Sequence, residues 1–558
     1  MRIRVGKSSR APVAAVLAGI LVLSGCAGPG EDAADAPEEP VATQPEQTED
    51  DTSEPAAVLD QQGVNAGHPL AAEAGMEMLD AGGTAVDAAI AAAFAVSVVE
   101  PYASGVGGGG STLVATQDGE PEAFDYREVV AVDGTIPASN TGVPGFVAGM
   151  AELHAQHGTL EWSELLEPAA RMAEDGVPAT DSLIARIDAG GAGAIAGLEQ
   201  FAPGGQSLQT GAPLVQTELG ATFRTLQAEG PESFYTGPIA EQLTSVDGID
   251  PVSLEQYEVQ YSDAPQGPFG DHQMVSAAPA LPGAALIQML QVLESQGISE
   301  VDSESAEYVQ QISEAWLLAE QTIRTDLGDP AFTEVPVDEL VDPVRNAELA
   351  ENTAPAEPAE GAPEGENMDT PGNTTHLTVI DDDGTVVSMT NTLTDFWGSD
   401  TEIGGFFLND QLSRFSTFPS PQNQPEPGRR SVTWSNPTMV LDNEGRPAMG
   451  LGTPGGANIL NVLANTLTRW GLMDQSLDEA VAAPRFRFDS ATQTLVGEPA
   501  FTTTPTAQEV QALGWQLSTS PEGLFGSVQA LEIDYDERTI SGPTDTRLEA
   551  ATLITDTR

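Results

Sequence analysis

Hydrophobic and polar residues alternate along two neighbouring segments in the last third of the chain. The run 377–380 (LTVI) is followed by the polar turn 381–384 (DDDG), and a second alternating run, 385–393, comes directly after that turn. An Asp-Gly turn between two alternating runs is the strongest short-range signal of a β-hairpin. The pattern therefore predicts two paired strands in this region.

Elsewhere the apolar positions follow the period of a helix. Residues 71–80 form one such segment, which ends at a pair of glycines, and residues 85–96 carry small apolar side chains on every face. A helix that is apolar all round is buried against other elements, so 85–96 predicts an internal helix. Further helices are predicted at 147–157, 162–175, 218–228, 284–295, 305–326 and 458–471, and further strands at 112–115, 388–394, 406–409, 439–442 and 448–451.

The amino terminus has the pattern of an export signal. Four basic residues precede the apolar stretch 13–23, which is too short to span a membrane as a mature helix. The stretch ends in Leu23-Ser24-Gly25-Cys26, which resembles a bacterial lipobox. We predict a signal peptide at 1–25 and a lipidated Cys26 that anchors the protein to the extracytoplasmic face of the cell membrane. An ordinary secretory signal is the alternative interpretation.

The residues that follow are unlike a folded domain. Segment 26–56 is rich in Pro, Glu, Asp, Thr and Gln and has few bulky apolar residues, so it predicts a disordered acidic tether. Cys26 is the only cysteine of the chain. An intramolecular disulfide is therefore excluded, even in a secreted protein.

The charge of the chain limits its partners. With 20 basic and 85 acidic residues among 558, the formal net charge is −65. Nucleic acid is an implausible partner, since phosphate binding needs clusters of basic residues. Such acidity fits a salt-adapted organism, because salt screens the self-repulsion of the chain. A simple solubility effect is equally compatible with the composition.

Candidate chemistry lies at the start of the predicted hairpin, in the run 373–376 (NTTH). If the chain cut itself after Asn373, Thr374 would become an amino-terminal residue. Its free amine could then take the proton from its own hydroxyl, so that nucleophile and base come from one residue. By contrast, the glycine run 104–110 lacks the Gly-Lys-Ser/Thr ending of a phosphate-binding loop.

The run from Asn373 to 393 resembles the start of the small subunit of γ-glutamyltransferases, which are self-processing N-terminal-nucleophile amidohydrolases. The glycine run and the motif 124–128 (FDYRE) stand at family-like positions. The resemblance implies an α+β fold, a four-layer αββα sandwich formed jointly by two chains after self-cleavage. The chains would be a large subunit, 57–373, with a flexible acidic end at 352–373, and a small catalytic subunit, 374–558.

The resemblance also implies roles for individual residues. Thr374 would be the nucleophile, Thr392 the residue whose hydroxyl bonds it, and Gly455 and Gly456 the pair that binds the oxyanion. Glycine lets backbone N–H groups approach closely, and the helix predicted behind the pair adds the positive end of its dipole. No cofactor and no metal are implied.

The substrate-reading residues match the family only in part. Arg127 matches the arginine that holds the substrate α-carboxylate, and Gln411 the residue that accepts a bond from the α-amine. Thr394 stands where transferases usually carry an asparagine. Arg414 replaces an aspartate that pairs with the substrate ammonium, and a cation that points into the pocket would repel it. The alternative is that Arg414 turns outward and a neighbour such as Asp410 takes over the ammonium. The family's paired serines align with positions 433 and 434, a threonine and a tryptophan.

Three functional hypotheses remain open from the sequence. The first is a lipid-anchored γ-glutamyltransferase or glutathione hydrolase that transfers the γ-glutamyl group to water or an acceptor amine. The second is a related amidase, similar to the family's cephalosporin or glutaryl acylases, and Arg414 favours it. The third is a non-catalytic surface-binding lipoprotein, against which the intact Asn373-Thr374 junction argues.

Overall fold

The computed structural model describes residues 58–189, 194–352, 372–521 and 523–557. The predicted signal peptide, the lipidation site Cys26, the tether and nearly all of the acidic segment 352–373 therefore lie outside the described residues. The described part of the chain belongs to one compact unit.

A seven-stranded antiparallel sheet contains the predicted hairpin. Strands Gly372–Ile380 and Val386–Asp395 pair from Ile380 opposite Val386 onward, which confirms the hairpin. The first strand begins at 372, five residues earlier than predicted, so Thr374 lies inside it. The strand order across the sheet is Ala551–Asp556, Gln61–Ala66, Gly372–Ile380, Val386–Asp395, Gly109–Ala115, Glu122–Asp125 and Gln260–Asp263.

A second, six-stranded sheet packs face to face on the first. Apolar side chains of both sheets form the contact, among them Leu113 and Ile380 from the first sheet and Met439 and Leu531 from the second. Two sheets pressed together in this way bury the inward-facing residues of their strands. The strand order of the second sheet is Thr539–Ser541, Gln529–Asp534, Pro447–Gly452, Thr438–Leu441, His272–Ser276 and Gln266–Phe269.

Helices cover the outer face of each sheet. On the first sheet lies Ala85–Val99, in which every residue is buried, as its all-apolar pattern predicts. Thr84 begins this helix with a capping box completed by Asp87, which satisfies free N–H groups at the helix start. Helices Gly283–Ser295, Ala306–Thr325 and Ile459–Leu467 cover the second sheet. The layers are helix, sheet, sheet, helix, which confirms the α+β four-layer sandwich.

Some predicted elements differ from the observed ones. The helix predicted at 162–175 is interrupted at Leu166, because Pro168 cannot continue a helix without losing a hydrogen bond and clashing with the preceding turn. The strand predicted at 406–409 has two residues, Phe406–Phe407. The helix predicted at 458–471 is α-helical at Ile459–Leu467 and continues as a π-helical turn, Thr468–Leu472.

The remaining elements complete the outer layers and the connections between them. The remaining α-helices are Pro69–Asp80, Phe146–His157, Trp162–Leu165, Glu167–Asp175, Asp181–Ala189, Thr217–Glu229, Glu232–Tyr235, Pro238–Leu243, Pro251–Glu255, Val337–Leu340, Pro343–Asn352, Arg414–Thr417, Leu477–Ala482, Pro499–Thr502 and Pro505–Ala512. The 3₁₀ turns are Ala194–Gly197, Pro203–Gly205, Ile298–Glu300, Gln411–Ser413 and Gly456–Asn458. Short strands pair outside the two main sheets at Val177–Pro178, Pro213–Leu214, Glu402–Ile403, Phe406–Phe407, Phe486–Asp489, Thr494–Gly497 and Gln516–Thr519.

Candidate active site

Thr374 lies near the start of the strand Gly372–Ile380 and is 7% exposed. Side chains of a strand alternate between its two faces, so Thr374, His376 and Thr378 share one face. The hydroxyl of Thr378 donates to the carbonyl of Gln529, on the second sheet, at 3.1 Å. The candidate nucleophile is thus on the face of the strand that looks toward the second sheet.

A β-bulge places Thr392 across from Thr374. Asn391 pairs with Thr375 and Thr394 pairs with Asn373, so two residues of the second strand, Thr392 and Leu393, stand opposite Thr374 alone. Bulges of this kind bend a strand and re-aim its side chains, and they are frequent beside active sites. The structure therefore brings together the predicted nucleophile and its predicted partner.

Thr394, which ends the bulge, has an unusual backbone. Its φ is 88°, a value that β-branched residues rarely adopt, and its N–H donates to the hydroxyl oxygen of Thr392 at 2.8 Å. Because that oxygen accepts from Thr394, the Thr392 hydroxyl can direct its own hydrogen elsewhere. The strained backbone of Thr394 thus helps to orient the Thr392 side chain.

The predicted oxyanion pair forms the turn between a strand of the second sheet and a helix. Gly455 has φ 136° and Gly456 has φ 55°, and both angles lie in the region that favours glycine. The helix Ile459–Leu467 follows them after one 3₁₀ turn. Thr374 and Gly455 line the same cavity of about 40 Å³. Backbone N–H groups beside a nucleophile can stabilise the negative oxygen that forms during amide cleavage.

His376 is a buried residue of this region to which sequence reasoning assigned no role. Its ring nitrogens are 2.8 Å from the Thr390 hydroxyl and 3.3 Å from the Thr378 hydroxyl. Burial lowers the pKa of His376 to about 3, so the ring stays neutral at ordinary pH. A side chain at Gly452 would collide with this ring. The sequence signal was its two-residue spacing from Thr374, which puts both on one strand face.

Arg127 is buried, with 1% of its surface exposed, and is held by two groups. Its Nε and Nη2 donate to the two carboxylate oxygens of Asp125 at 2.9 and 2.6 Å, and its Nη1 donates to the carbonyl of Ser431 at 2.6 Å. A guanidinium has five N–H donors, so two remain for a substrate carboxylate. Burial raises the pKa of Asp125, but Arg127 and Arg430 outweigh it and hold that pKa below its usual value.

A chain of hydrogen bonds joins Arg127 to the bulge. Gln411 donates from Nε2 to the Ser431 hydroxyl at 2.9 Å, and its Oε1 accepts from the Thr394 hydroxyl. Ser431 in turn is bonded to Arg127 through its carbonyl. The structure therefore gathers Arg127, Gln411, Thr394 and Thr392 into one network, with Ser431 and Asp125 as members that sequence reasoning missed.

The two positions aligned with the family's paired serines are occupied differently. Trp434 packs its ring against Trp316 and Phe418 in the core of the second sheet, with centroid distances of 6.0 and 4.7 Å. Thr433 is buried beside it. The serine in this region is Ser431, which precedes Thr433 by two residues. It accepts hydrogen bonds from Arg127 at its carbonyl and from Gln411 at its hydroxyl.

Arg414 is 5% exposed and donates to Asp395 at 2.9 Å. The backbone N–H of Asp395 donates to Oδ1 of Asp410, also at 2.9 Å. Burial, followed by repulsion from Asp395, raises the pKa of Asp410 to about 7, although Arg414 acts in the opposite direction. The cation predicted to repel a substrate ammonium is therefore paired with one carboxylate and lies near a second.

Similarity to known proteins agrees with this geometry. The family model described as gamma-glutamyltranspeptidase matches residues 71–554. The chain belongs to the γ-glutamyltranspeptidase family. It is an enzyme of the N-terminal-nucleophile class. In the part of the chain that the structure describes, no group of three or more His, Cys, Asp or Glu residues could hold a metal ion.

Several relatives are similar over most of their length. The capsule biosynthesis protein CapD proenzyme of Bacillus anthracis is 35% identical over 492 residues, which cover 87% of this chain and 89% of that protein. The glutathione hydrolase proenzyme of Bacillus subtilis (strain 168) is 29% identical over 537 residues, covering 87% and 90%. An acylase ACY 1 proenzyme of Pseudomonas sp. (strain V22) is 32% identical over 456 residues, covering 75% and 81%.

A solved structure shares the fold. The cephalosporin acylase from Bacillus halodurans superposes with a TM-score of 0.79 at 23% identity, covering 92% of this chain and 99% of the acylase. Identity this low supports the shared fold alone.

Proposed function

We propose that the enzyme cuts itself between Asn373 and Thr374 and then cleaves γ-glutamyl amides, glutathione among them, through an acyl-Thr374 intermediate. The observation that carries the proposal is that Thr374 lines one small cavity with Gly455 and stands opposite the Thr392 bulge. Relatives that are named as proenzymes support the processing step.

The reaction follows from these groups. After processing, the free α-amine of Thr374 takes the proton of the Thr374 hydroxyl, and the oxygen attacks the amide carbonyl of the substrate. The N–H groups of Gly455 and Gly456 stabilise the oxyanion as the tetrahedral intermediate forms. The C–N bond then breaks, and the ammonium of Thr374 returns its proton to the leaving amine. Water or an acceptor amine attacks the ester in a second, equivalent step and restores the threonine.

The γ-glutamyl group would be read by the network on one side of the bulge. The two remaining N–H donors of Arg127 suit the α-carboxylate, because a guanidinium binds a carboxylate through two parallel hydrogen bonds. The α-ammonium would lie near Gln411, with the carboxylates Asp395 and Asp410 as the possible partners in this region. We propose that Asp410 takes over the ammonium, since Arg414 already occupies Asp395.

A second candidate function is an acylase for donors without the α-amine, such as glutaryl amides. Arg414 at the aspartate position and the 32% identical acylase relative favour it. The ion pair between Arg414 and Asp395, however, weakens the repulsion of a substrate α-ammonium, on which this candidate function depends. A non-catalytic binding protein is disfavoured, because the chain belongs to an enzyme family and carries a complete nucleophile region.

Two measurements on the purified full-length protein test the proposal. Gel electrophoresis and intact mass spectrometry should show a chain that begins at Thr374, and the processed enzyme should release nitroaniline from γ-glutamyl-4-nitroanilide. Thr374→Ala should leave one uncut, inactive chain. A wild type that turns over substrate while uncut would contradict the mechanism.

The same assay separates the two candidate functions. Glutaryl-4-nitroanilide differs from the γ-glutamyl anilide only by lacking the α-amine. A wild type that strongly prefers the glutaryl donor, together with an Arg414→Asp variant that regains γ-glutamyl turnover, would establish the acylase. A preference for the γ-glutamyl donor that Arg414→Asp does not increase would exclude it.

A further inference from the structure

One wall of the cavity that Thr374 and Gly455 line carries charged residues. Glu100, Tyr102 and Arg186 line it, together with the ring of Phe396. Arg127, Gln411 and Thr394 do not belong to this wall. The Arg127 network and this wall are therefore separate sets of polar groups. If the Arg127 network holds the acyl part of a substrate, the Arg186 wall adjoins the other side of the scissile bond.

Arg186 is placed by a short helix and an aromatic ring. It projects from the helix Asp181–Ala189, and its guanidinium carbon lies 3.8 Å above the centre of the Phe396 ring. Stacking on a ring orients a guanidinium while leaving the N–H groups at its edge available. Arg186 is half-buried. The ring thus holds the guanidinium beside the cavity.

Arg186 also differs from most arginines of this protein in having no carboxylate partner. Among the described residues, no carboxylate oxygen lies within 4.0 Å of its guanidinium, and only Arg345 and Arg469 share that property. Neither of those two lines the Thr374 cavity. In a chain of net charge −65, an arginine without an ion pair beside the nucleophile is a notable placement.

The surrounding groups leave the cation only partly compensated. Burial removes water from the charge of Arg186 and lowers its pKa, although Tyr102 and Glu100 act in the opposite direction. Glu100 is the nearby acid, and Tyr102 donates to it at 3.5 Å. Burial, followed by repulsion from Glu549, raises the pKa of Glu100 to about 7, so it is partly neutral at pH 7. An anion that entered the cavity would recover electrostatic energy that the protein itself does not supply.

The cavity that Thr374 and Arg186 line is large enough for a carboxylate group. Its volume is about 40 Å³. A cavity needs roughly 10–15 Å³ to hold one water molecule, and this cavity is about three times larger, which is enough for a carboxylate group. We propose that Arg186 binds a carboxylate on the leaving-group or acceptor side of the scissile amide. Arg186 would thereby select amines that carry a carboxylate, as amino acids and peptides do. This inference rests on the amide-cleaving function proposed above and adds to it a specificity residue for the leaving group or acceptor.

A pair of donors tests the inference on the processed enzyme. γ-Glutamyl-4-nitroanilide and its 3-carboxy derivative differ only in a carboxylate on the leaving group. The wild type should favour the carboxylated donor, and Arg186→Gln should lower the ratio of the two kcat/KM values by about 10- to 100-fold, as expected for loss of a charge-assisted hydrogen bond. Arg186→Lys should give an intermediate ratio, because it keeps the charge and loses the fork.

Matched variants keep the result interpretable. Arg171→Gln removes an arginine that is paired with Glu77 on the protein surface, and it should keep the wild-type ratio. If Arg186→Gln does not fold, Arg186→Met preserves the apolar stem against Phe396 and takes its place. A ratio that is unchanged in the Arg186 variants, or that falls equally in Arg171→Gln, would overturn the inference.

A binding measurement separates this inference from the proposed function. Calorimetry should show that the wild type binds glycylglycine about 10-fold or more tightly than glycylglycine amide, and that Arg186→Gln abolishes this difference. This comparison needs no turnover. A wild type that cleaves neither anilide would refute the proposed function alone. Equal binding of the two peptides by the wild type would refute the role of Arg186.

Discussion

Arg414 donates a 2.9 Å hydrogen bond to Asp395, and Asp395 is in turn bonded through its N–H to Asp410. The sequence predicts that Arg414 repels a substrate ammonium, at a cost of about 2–4 kcal/mol if its charge faces the pocket alone. In the structure its charge is balanced by Asp395. Asp410 remains as a carboxyl group that can pair with the ammonium.

The pKa of Asp410 leads to a pH prediction. Because this pKa is raised to about 7, Asp410 is largely neutral below that pH and negative above it. Only the negative form attracts an α-ammonium, so the ratio of kcat/KM for γ-glutamyl-4-nitroanilide to that for glutaryl-4-nitroanilide should rise several-fold between about pH 6 and pH 8. Taking the ratio cancels the titration of the Thr374 amine, which both donors share.

Variants identify the group responsible for that change. Asp410→Asn should make the ratio independent of pH and lower it to the acidic limit of the wild type. Asp400→Asn, in the same part of the chain, removes another aspartate with a raised pKa and should leave the pH dependence in place. A wild-type ratio that does not vary with pH would exclude Asp410 as the ammonium partner.

Thr392 should act on Thr374 through its hydroxyl. The bulge sets the two residues across from each other, and the Thr392 oxygen already accepts from Thr394, so that its own hydrogen can be directed at the nucleophile. We expect Thr392→Val to lower kcat, and to slow self-cleavage, by about 10- to 100-fold, the effect of one lost hydrogen bond to a reacting group. Thr392→Ser keeps the hydroxyl and should retain most of both rates.

Time courses of precursor loss and single-turnover kinetics measure the two effects. A Thr392→Val enzyme that processes and turns over at the wild-type rate would show that the hydroxyl is not used.

The sequence predicts well the features that depend on neighbouring residues. The hairpin follows from the alternation and the Asp-Gly turn, and the burial of Ala85–Val99 follows from its composition. The four-layer arrangement came from resemblance to a family, since the periodicity of the elements does not determine how sheets stack.

The substrate network was predicted only in part, for a physical reason. The bond from Arg127 to Ser431 joins residues 304 positions apart, and such contacts depend on the whole fold. Arg127 was found through its motif, whereas Ser431 stands in no motif. The bulge at Thr392 depends on the register between two strands. The alternation of the sequence does not show where one strand carries an extra residue, so the bulge was not predicted. The ion pair between Arg414 and Asp395 was not predicted, because a sequence does not show in which direction a side chain points.

The membrane anchor remains a prediction that rests on the lipobox-like run ending at Cys26. Cys26→Ser should move the protein from the membrane fraction to the soluble fraction, because the acidic body gives no polybasic attraction to lipid headgroups. Thr374→Ala, which keeps the cysteine, should stay with the membranes and serves as the control. A wild-type protein without acyl mass on its first residue would contradict the prediction. None of the described helices is long and apolar enough to cross a membrane.

The glycine turn allows a test of the oxyanion site that separates catalysis from stability. Gly455 has a φ of 136° and lines a cavity with Thr374, and we expect this backbone angle to direct its N–H toward that cavity. An alanine there would strain the backbone by about 1–2 kcal/mol and turn the N–H away. Loss of one oxyanion donor lowers kcat by about 100- to 1000-fold, so Gly455→Ala should reduce kcat to that extent with a smaller change in KM.

Gly445 provides the matched control for this experiment. It also has a positive φ, 82°, with open space where the methyl group of an alanine would lie, and it stands in the turn at the far end of the strand Pro447–Gly452. Gly445→Ala should therefore lose a similar amount of stability in thermal unfolding and keep the wild-type kcat. If both variants lost kcat equally, the effect would come from backbone strain. If Gly455→Ala kept its kcat, the oxyanion would have to be bound by other donors.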